Sequence, residues 1–250
     1  MSRARLAFHT WPAAVYAIGD VHGCLDQLLA LETLIAEDGL GVEGEKWLVT
    51  LGDHIDRGPQ SRRVIEHLMG PAPLGFRRFS LIGNHEVMLL DFLGNPAAHA
   101  YYLEQGGVET LAAYDIHLDY PPLRSAGPTQ QLLAERFPAA HREFIAGLPV
   151  YLSLPGWLFV HAGIRPGIPL GMQTDDDLVW IRAPFLTSQL TGGLRVVHGH
   201  TPGRDIVVTP HRIDVDTHCF HTGKLSAVRI MPGGATKFLS VSGEPAGWIG

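Results

Sequence analysis

The chain has 250 residues, 46% of them hydrophobic, enough to bury one sizeable core, so a single α/β domain over residues 1–250 is expected. Its net charge of -6, from 19 Lys and Arg against 25 Asp and Glu with no basic run, argues against nucleic acid as a partner. The longest apolar stretch, 148–164, is broken by Pro149, Pro155, Gly156 and His161, which excludes a membrane span there. Arg3 and Arg5 are not followed by a long apolar core or a small-residue cleavage pattern, so a cytoplasmic setting is expected. Two cysteines, Cys24 and Cys219, are too few for a disulfide scaffold, and reduced thiols are expected.

The first third repeats one pattern three times: a short apolar run, a glycine with a polar residue, then a helical stretch. Val15 to Ile18 leads to Gly19-Asp20, and Leu25, Leu28, Leu31 and Ile35 follow at helical spacing with Asp26 and Glu32 on the polar side. Trp47 to Leu51 leads to Gly52-Asp53 and a helix carrying Val64, Ile65 and Leu68; Phe79 to Ile82 leads to Gly83-Asn84 and a helix over Val87 to Leu93. Strands alternating with helices imply βαβ units and a largely parallel sheet. Each polar residue then sits just past a strand's C-terminal end, where open α/β sheets bind ligands.

Residues 95–147 read as a helical insertion, packed through Leu132, Leu133, Phe137, Phe144 and Ile145, and carry no identifiable chemistry. From Pro149 the pattern changes to short strands at Tyr151–Leu154, Leu158–Val160, Val196–Val197, Ile206–Val208 and Leu225–Ile230, which suggests a second sheet packed on the first.

Five short sequences concentrate chemistry: Gly19-Asp20-Val21-His22-Gly23, Gly52-Asp53-His54-Ile55-Asp56-Arg57-Gly58, Gly83-Asn84-His85-Glu86, His161-Ala162-Gly163 and Gly199-His200-Thr201. Together they supply carboxylates, an amide oxygen and imidazoles, a mixed oxygen and nitrogen set suited to Mn, Fe or Zn. Any one of them alone reads as a turn, a helix cap or a satisfied histidine. Three successive strand ends followed by two histidine-bearing strands are not independent caps, and a two-metal site is the simplest joint reading. His9, His67, His99, His117, His141 and His211 lack such context and are read as surface or structural. His198 and His200 flank Gly199 at strand period, so pattern alone does not decide between them.

In this order the motifs resemble the metallophosphoesterases, specifically the bacterial-type phosphoprotein (Ser/Thr) phosphatase family, over residues 19–201. The resemblance implies a calcineurin-like αββα sandwich of two mixed sheets flanked by helices, with metals at its strand ends. It implies that Asp20 and His22 hold a first divalent cation, that Asp53 bridges both, and that Asn84, His161 and His200 hold the second; His200 is favoured over His198 on this ground. Two ions are implied, Mn being expected and Fe or Zn the alternatives. Trp180-Ile181-Arg182 resembles a segment that supplies a phosphate-binding arginine. The segment Asp216-Thr217-His218-Cys219 departs from the family, with His-Cys where relatives often have Gly-Ala.

On this reading a hydroxide shared by the two cations attacks phosphorus directly. Arg57 and Arg182 clamp phosphoryl oxygens, with Asn84 also at the substrate. His85 is the general acid and Asp56 orients its imidazole; Glu86 reads first as a helix first-turn carboxylate and second as a support. The expected activity is phosphomonoester hydrolysis, by a protein serine/threonine phosphatase acting on phosphorylated protein or a small phosphoester. The alternative is a dinucleoside polyphosphate (diadenosine tetraphosphate) hydrolase, whose members tend to lose the aspartate before Arg57. An inactive metal-binding scaffold protein is disfavoured by the complete residue set.

Overall fold

The computed structural model describes residues 3–118, 126–189 and 191–246. Two sheets face each other. The first runs β11 (Thr236–Ser242), β10 (Lys224–Ile230), β2 (Ala14–Ile18), β3 (Lys46–Thr50), β4 (Phe76–Ser80), with β2, β3 and β4 parallel and β10 and β11 antiparallel. The second runs β1 (Arg5–Ala7), β5 (Tyr151–Leu154), β6 (Trp157–Val160), β7 (Arg195–His198), β9 (Arg212–Asp214), β8 (Val207–Val208), with β6, β7 and β9 parallel.

Strand β2 shows why the chain stacks in layers. Its side chains alternate faces: Val15 and Ala17 join Val49, Phe159, Val197 and Ile213 between the sheets. Ala14, Tyr16 and Ile18 point the other way, onto Leu28, Leu31 and Ile35 of α1 (Leu25–Gly39) and Val64 and Leu68 of α2 (Ser61–Met69). All five β2 residues are therefore buried, as expected for a strand covered on both faces. On the outer face of the second sheet, Leu158, Val160 and Val196 pack with Leu178 and Val179 of α7 (Asp175–Trp180) and Phe185 of α8 (Ala183–Thr187). This is the expected αββα sandwich.

Beside it, α3 (Asn84–Gly94), α4 (Gly107–Ala113), α5 (Ala126–Arg136) and α6 (Ala139–Ala146) share a further apolar cluster. Leu132, Leu133, Phe137, Phe144 and Ile145 all belong to it, as their spacing implies; residues 119–125 of this segment lie outside the described ones. No helix among the described residues is long and apolar enough to cross a membrane.

Three details differ from expectation. Strand Lys224–Ile230 joins the first sheet rather than the second, because it pairs antiparallel with β2 and brings β11 with it. Glu32 is not on a polar face. It is buried, with its carboxylate accepting from Arg78 at 2.9 Å and paired to His67 at 2.9 Å, which ties α1 to β4 and α2. Strands β1, β9 and β11 escape sequence reading: two are three residues long, and β11 is an edge strand with Leu239 alone buried.

Candidate metal centre

Every proposed ligand lies just beyond the C-terminal end of a parallel strand. Asp20 and His22 follow β2, Asp53 follows β3 and Asn84 follows β4 in the first sheet; His161 follows β6 and His200 follows β7 in the second. Asp216 follows β9 in the same way. The two sheets thus present their strand ends to one cavity of about 150 Å³, whose wall includes Asp20, His22, Asp53, Asn84 and His200. His161 lies fully buried behind Asp53, its Nε2 3.3 Å from Asp53 Oδ1 and 2.9 Å from Asn84 Oδ1.

Asp53 is shared by two tight clusters. Its carboxylate stands with His22 and His85 in one, and with His161 and His200 in the other, all donor atoms of each cluster lying within 4.8 Å. Asp20 belongs to neither. Its two oxygens accept the His200 N–H at 3.3 and 3.0 Å, and its carboxyl faces Asp53 and Asp216. The structure therefore gathers the six expected ligands around one cavity, but the tight cluster at His22 and Asp53 takes in the His85 ring and not the Asp20 carboxylate.

The imidazoles are preset. Backbone carbonyls fix one nitrogen of each: Ile55 O faces His22 Nδ1 at 2.8 Å, Leu51 O faces His161 Nδ1 at 3.1 Å, and Trp180 O faces His200 Nε2 at 3.2 Å. A ring N–H donating to a carbonyl leaves the opposite nitrogen with a free lone pair, the form a metal ligand needs. Burial, with His85 beside it, lowers His22 to about 3, and burial, with His161 beside it, lowers His200 to about 2, so both stay neutral. The carboxylates show the complementary demand. Burial, with Asp216 and Asp53 nearby, pushes Asp20 well above the ordinary carboxylate range, and among the described residues no lysine or arginine pairs with Asp20, Asp53 or Asp216. Buried oxygen donors that repel one another, beside neutral imidazoles, fit divalent cations.

His198 and His200 do not share a face, contrary to strand period. β7 ends at His198, and His200 adopts φ 63°, which breaks the alternation. His198 is fully buried, in edge contact with Phe185 and 3.2 Å from Arg212 Nη1, away from the cavity. Left-handed backbone recurs here: His22, Asp53, Asp56, Arg57, His200 and His218 all have φ between 45° and 71°. Non-glycine residues rarely adopt that conformation, and such strain gathers where a loop must aim a side chain. Two glycines permit the close packing: a Cβ on Gly83 would lie 2.1 Å from Asp53 Oδ1, and one on Gly199 would lie 2.0 Å from Asp20 Oδ1.

Around the carboxylate of Asp56 a fully buried network forms. His85 Nδ1 donates to Asp56 Oδ2 at 2.7 Å, while Tyr102 Oη and Thr110 Oγ1 donate to Oδ1 at 2.7 and 2.6 Å. Burial works against the His85 imidazolium, but Asp53 and the Asp56 hydrogen bond outweigh it and raise its pKa above the ordinary histidine value. Arg57 stacks on Phe220 at 4.8 Å with Nη2 3.5 Å from His85 Nε2; Arg182 donates to His200 O at 3.1 Å; both line the cavity. Glu86 is more than a first-turn carboxylate. It accepts from the N–H groups of Gly83, Asp53, His54 and Ile55, so it holds the loop that presents Asp53. Tyr102 and Thr110 correct the reading of 95–147 as chemically silent. Their contacts span 46 and 54 residues of sequence, and no local pattern announces them.

The sequence pattern of the calcineurin-like phosphoesterase family matches residues 13–224. The asymmetrical bis(5'-nucleosyl)-tetraphosphatase PrpE of Bacillus thuringiensis is 27% identical over 234 residues, covering 85% of this chain and 88% of that protein. The enzyme of the same name from Oceanobacillus iheyensis is 28% identical over 237 residues, covering 85% and 86%. A solved structure of a provisionally named diadenosine tetraphosphatase superposes with a TM-score of 0.65 at 24% identity, over 98% of this chain and 99% of that one. A protein serine/threonine phosphatase from Saccharomyces cerevisiae gives 0.53 at 16% identity, over 99% and 85%. These last two show the fold alone. With the family pattern over most of its length and the donor set built at its strand ends, the chain belongs to the calcineurin-like phosphoesterases and is a metal-dependent phosphoric ester hydrolase.

Proposed function

We propose that the chain is an asymmetrical dinucleoside polyphosphate hydrolase, which splits a substrate such as diadenosine tetraphosphate into a nucleoside triphosphate and a nucleoside monophosphate. The observation that carries this reading is the similarity to the tetraphosphatases along 85% of the chain. It replaces protein serine/threonine phosphatase as the leading activity. Two unbridged, buried cysteines suit a reducing, cytoplasmic setting.

Asp20 and His22 would hold one divalent cation, Asn84, His161 and His200 the other, with Asp53 serving both. Manganese is the proposed metal, and the same donors suit iron or zinc. When bound, the cations offset phosphoryl charge and make water nucleophilic near neutral pH. The remaining work falls to the protein. Arg57 and Arg182 turn forked N–H donors toward the phosphoryl oxygens, whose charge shifts in the transition state. His85, held in orientation and charge by Asp56, offers its Nε2 proton to the departing oxygen. Residues 95–147, which we take as a helical insertion in one domain, brace that pair through Tyr102 and Thr110.

The phosphatase reading is retained as second because Asp56 is present before Arg57 and bonded to His85 at 2.7 Å. The two are separated by assaying the manganese-loaded enzyme in parallel on diadenosine tetraphosphate, a phosphoserine peptide and p-nitrophenyl phosphate. ATP and AMP in equal amounts are expected from the first. Two ADP would make the cut symmetrical and refute the proposal, and an inert dinucleotide beside a rapidly hydrolysed peptide would put the phosphatase reading in its place.

A further inference from the structure

The catalytic cavity, at about 150 Å³, is too small for the proposed substrate. Sites for drug-sized ligands enclose roughly 300–1,000 Å³, and a dinucleotide is larger than most such ligands. The cavity accommodates the phosphoryl group under attack and little else. A second cavity of about 590 Å³ adjoins it, and the two share walls at Pro202 and His218. Its lining continues the loops that carry His200 and Asp216: Pro202, Gly203 and Arg204 on one side, His218, His221 and Lys224 on the other. It therefore opens directly from the strand ends of the metal centre.

The chemistry of this annexe suits an anion. Among the described residues no acidic one lines it, whereas Arg204, Lys224 and two imidazoles do. Among the described residues the exposed Arg204 guanidinium has no hydrogen-bond or ion-pair partner. Lys224 Nζ donates to Asp205 Oδ1 at 2.9 Å and to Arg204 O at 3.4 Å, which leaves one of its three N–H groups. The rings of His218 and His221 lie 5.0 Å apart, tilted by 31°, and His218 is set edge-on to Phe220, on which Arg57 stacks. His218, the first residue of the His218-Cys219 departure from the family pattern, thus stands where the two cavities meet.

We propose that the annexe is the subsite for the part of a dinucleoside polyphosphate beyond the scissile bond, with Arg204 and Lys224 contacting its phosphates and His218 and His221 walling its path from the metal centre. The inference rests on the dinucleotide reading above. It makes these residues determinants of substrate length and not of bond cleavage. A monophosphate such as p-nitrophenyl phosphate fills the small cavity and does not reach them.

The test compares wild type with Arg204→Ala, Arg204→Glu and Arg204→Ala/Lys224→Met, manganese-loaded, on diadenosine tetraphosphate and on p-nitrophenyl phosphate. Charge-assisted contacts at an open, screened site lead us to expect KM for the dinucleotide to rise about tenfold in Arg204→Ala, and further in the charge reversal and the double variant. kcat/KM for p-nitrophenyl phosphate should stay within about twofold. Added salt should raise the wild-type KM for the dinucleotide more steeply than that of the double variant. If the wild type hydrolyses the dinucleotide and no variant changes its KM, the annexe assignment falls while the function stands. Equal losses on both substrates would also overturn it, because the residues would then act on the catalytic cavity. A wild type inert toward the dinucleotide would remove the function and the subsite together.

Discussion

Glu86→Gln tests whether the metal centre is held by a buried carboxylate or merely begins at a capped helix. Glu86 is fully buried, and its two oxygens accept four backbone N–H groups: Gly83 at 2.8 Å and Asp53 at 2.9 Å on Oε2, His54 at 2.7 Å and Ile55 at 3.3 Å on Oε1. An amide keeps one oxygen and replaces the other by an NH₂ group, which cannot accept. Two N–H groups then lose their partner and face a donor. At about 1–3 kcal/mol for each buried group left unsatisfied, the substitution should cost about 2–6 kcal/mol of stability. A helix-terminal carboxylate acting on the dipole alone contributes only about 0.3–1 kcal/mol. Because the same bonds hold Asp53 at φ 50°, manganese affinity should fall by roughly 10–100-fold, as for other outer-shell partners of metal ligands. Urea unfolding of the metal-free protein measures the first effect and calorimetric manganese titration the second. A variant within about 0.5 kcal/mol of wild type that binds manganese normally would show that Glu86 is a cap and nothing more.

Other expectations follow from the same geometry. His200→Ala should lose one of two bound metal ions while His198→Ala keeps both, since His200 stands at the cavity and His198 behind Phe185; metal analysis giving the reverse would exchange the assignments. His85→Asn should slow phosphoserine hydrolysis about 10²–10⁴-fold with metal content unchanged, and p-nitrophenyl phosphate far less, as single-turnover rates will show. Asp38 accepts from Tyr16 Oη and Arg229 at 2.7 Å each and pairs with Lys237, so Asp38→Asn should cost about 2 kcal/mol near neutral pH. Burial opposes the Asp38 carboxylate, but Lys237, Tyr16 and Arg229 outweigh it and lower its pKa. Its contribution is thus complete above the unfolded value of about 4 and is lost as pH falls through the lower folded one, so the two unfolding curves should converge in acid.

The candidate metal centre was legible in the sequence because its donors are carried by short, contiguous motifs rich in glycine, two of whose glycines lie where the chain passes a carboxylate closely. These are Gly83 and Gly199, each leaving room for an oxygen about 2 Å from where a Cβ would stand. What supports the donors was not legible. Thr110 and Tyr102 sit in a segment that reads as helical packing, and their hydroxyls meet Asp56 only after the chain has folded back across about 50 residues. The His198 and His200 ambiguity had a backbone cause, since one left-handed residue after β7 ends the alternation from which a face could be assigned. Sheet membership was lost for a related reason: Lys224–Ile230 has the same alternating pattern whichever sheet it joins, and pairing with β2 is decided by packing.

The leaving group connects the Asp56–His85 pair to the choice between the two activities. Hydrolysis of phosphoserine expels an alkoxide, which needs a proton in the transition state, so a charged and oriented imidazole accelerates it. Asymmetrical cleavage of a dinucleoside tetraphosphate expels a nucleotide phosphate, whose negative charge is already spread over several oxygens. For that reaction the proton matters less, and recognition beyond the scissile bond matters more, because a small catalytic cavity holds only one phosphoryl group of a long polyanion. This chain has both features: His85 bonded to a fully buried Asp56, and a basic annexe opening from the metal centre. A phosphoprotein is an extended substrate too, but the peptide beyond its phosphoserine offers no run of phosphates to meet Arg204 and Lys224, so the charge of the annexe matches a polyphosphate better than a peptide. The acid proposed at His85 remains useful to a polyphosphate hydrolase that also accepts monoesters with poor leaving groups, so the two features together predict a dinucleotide hydrolase that tolerates other phosphoesters.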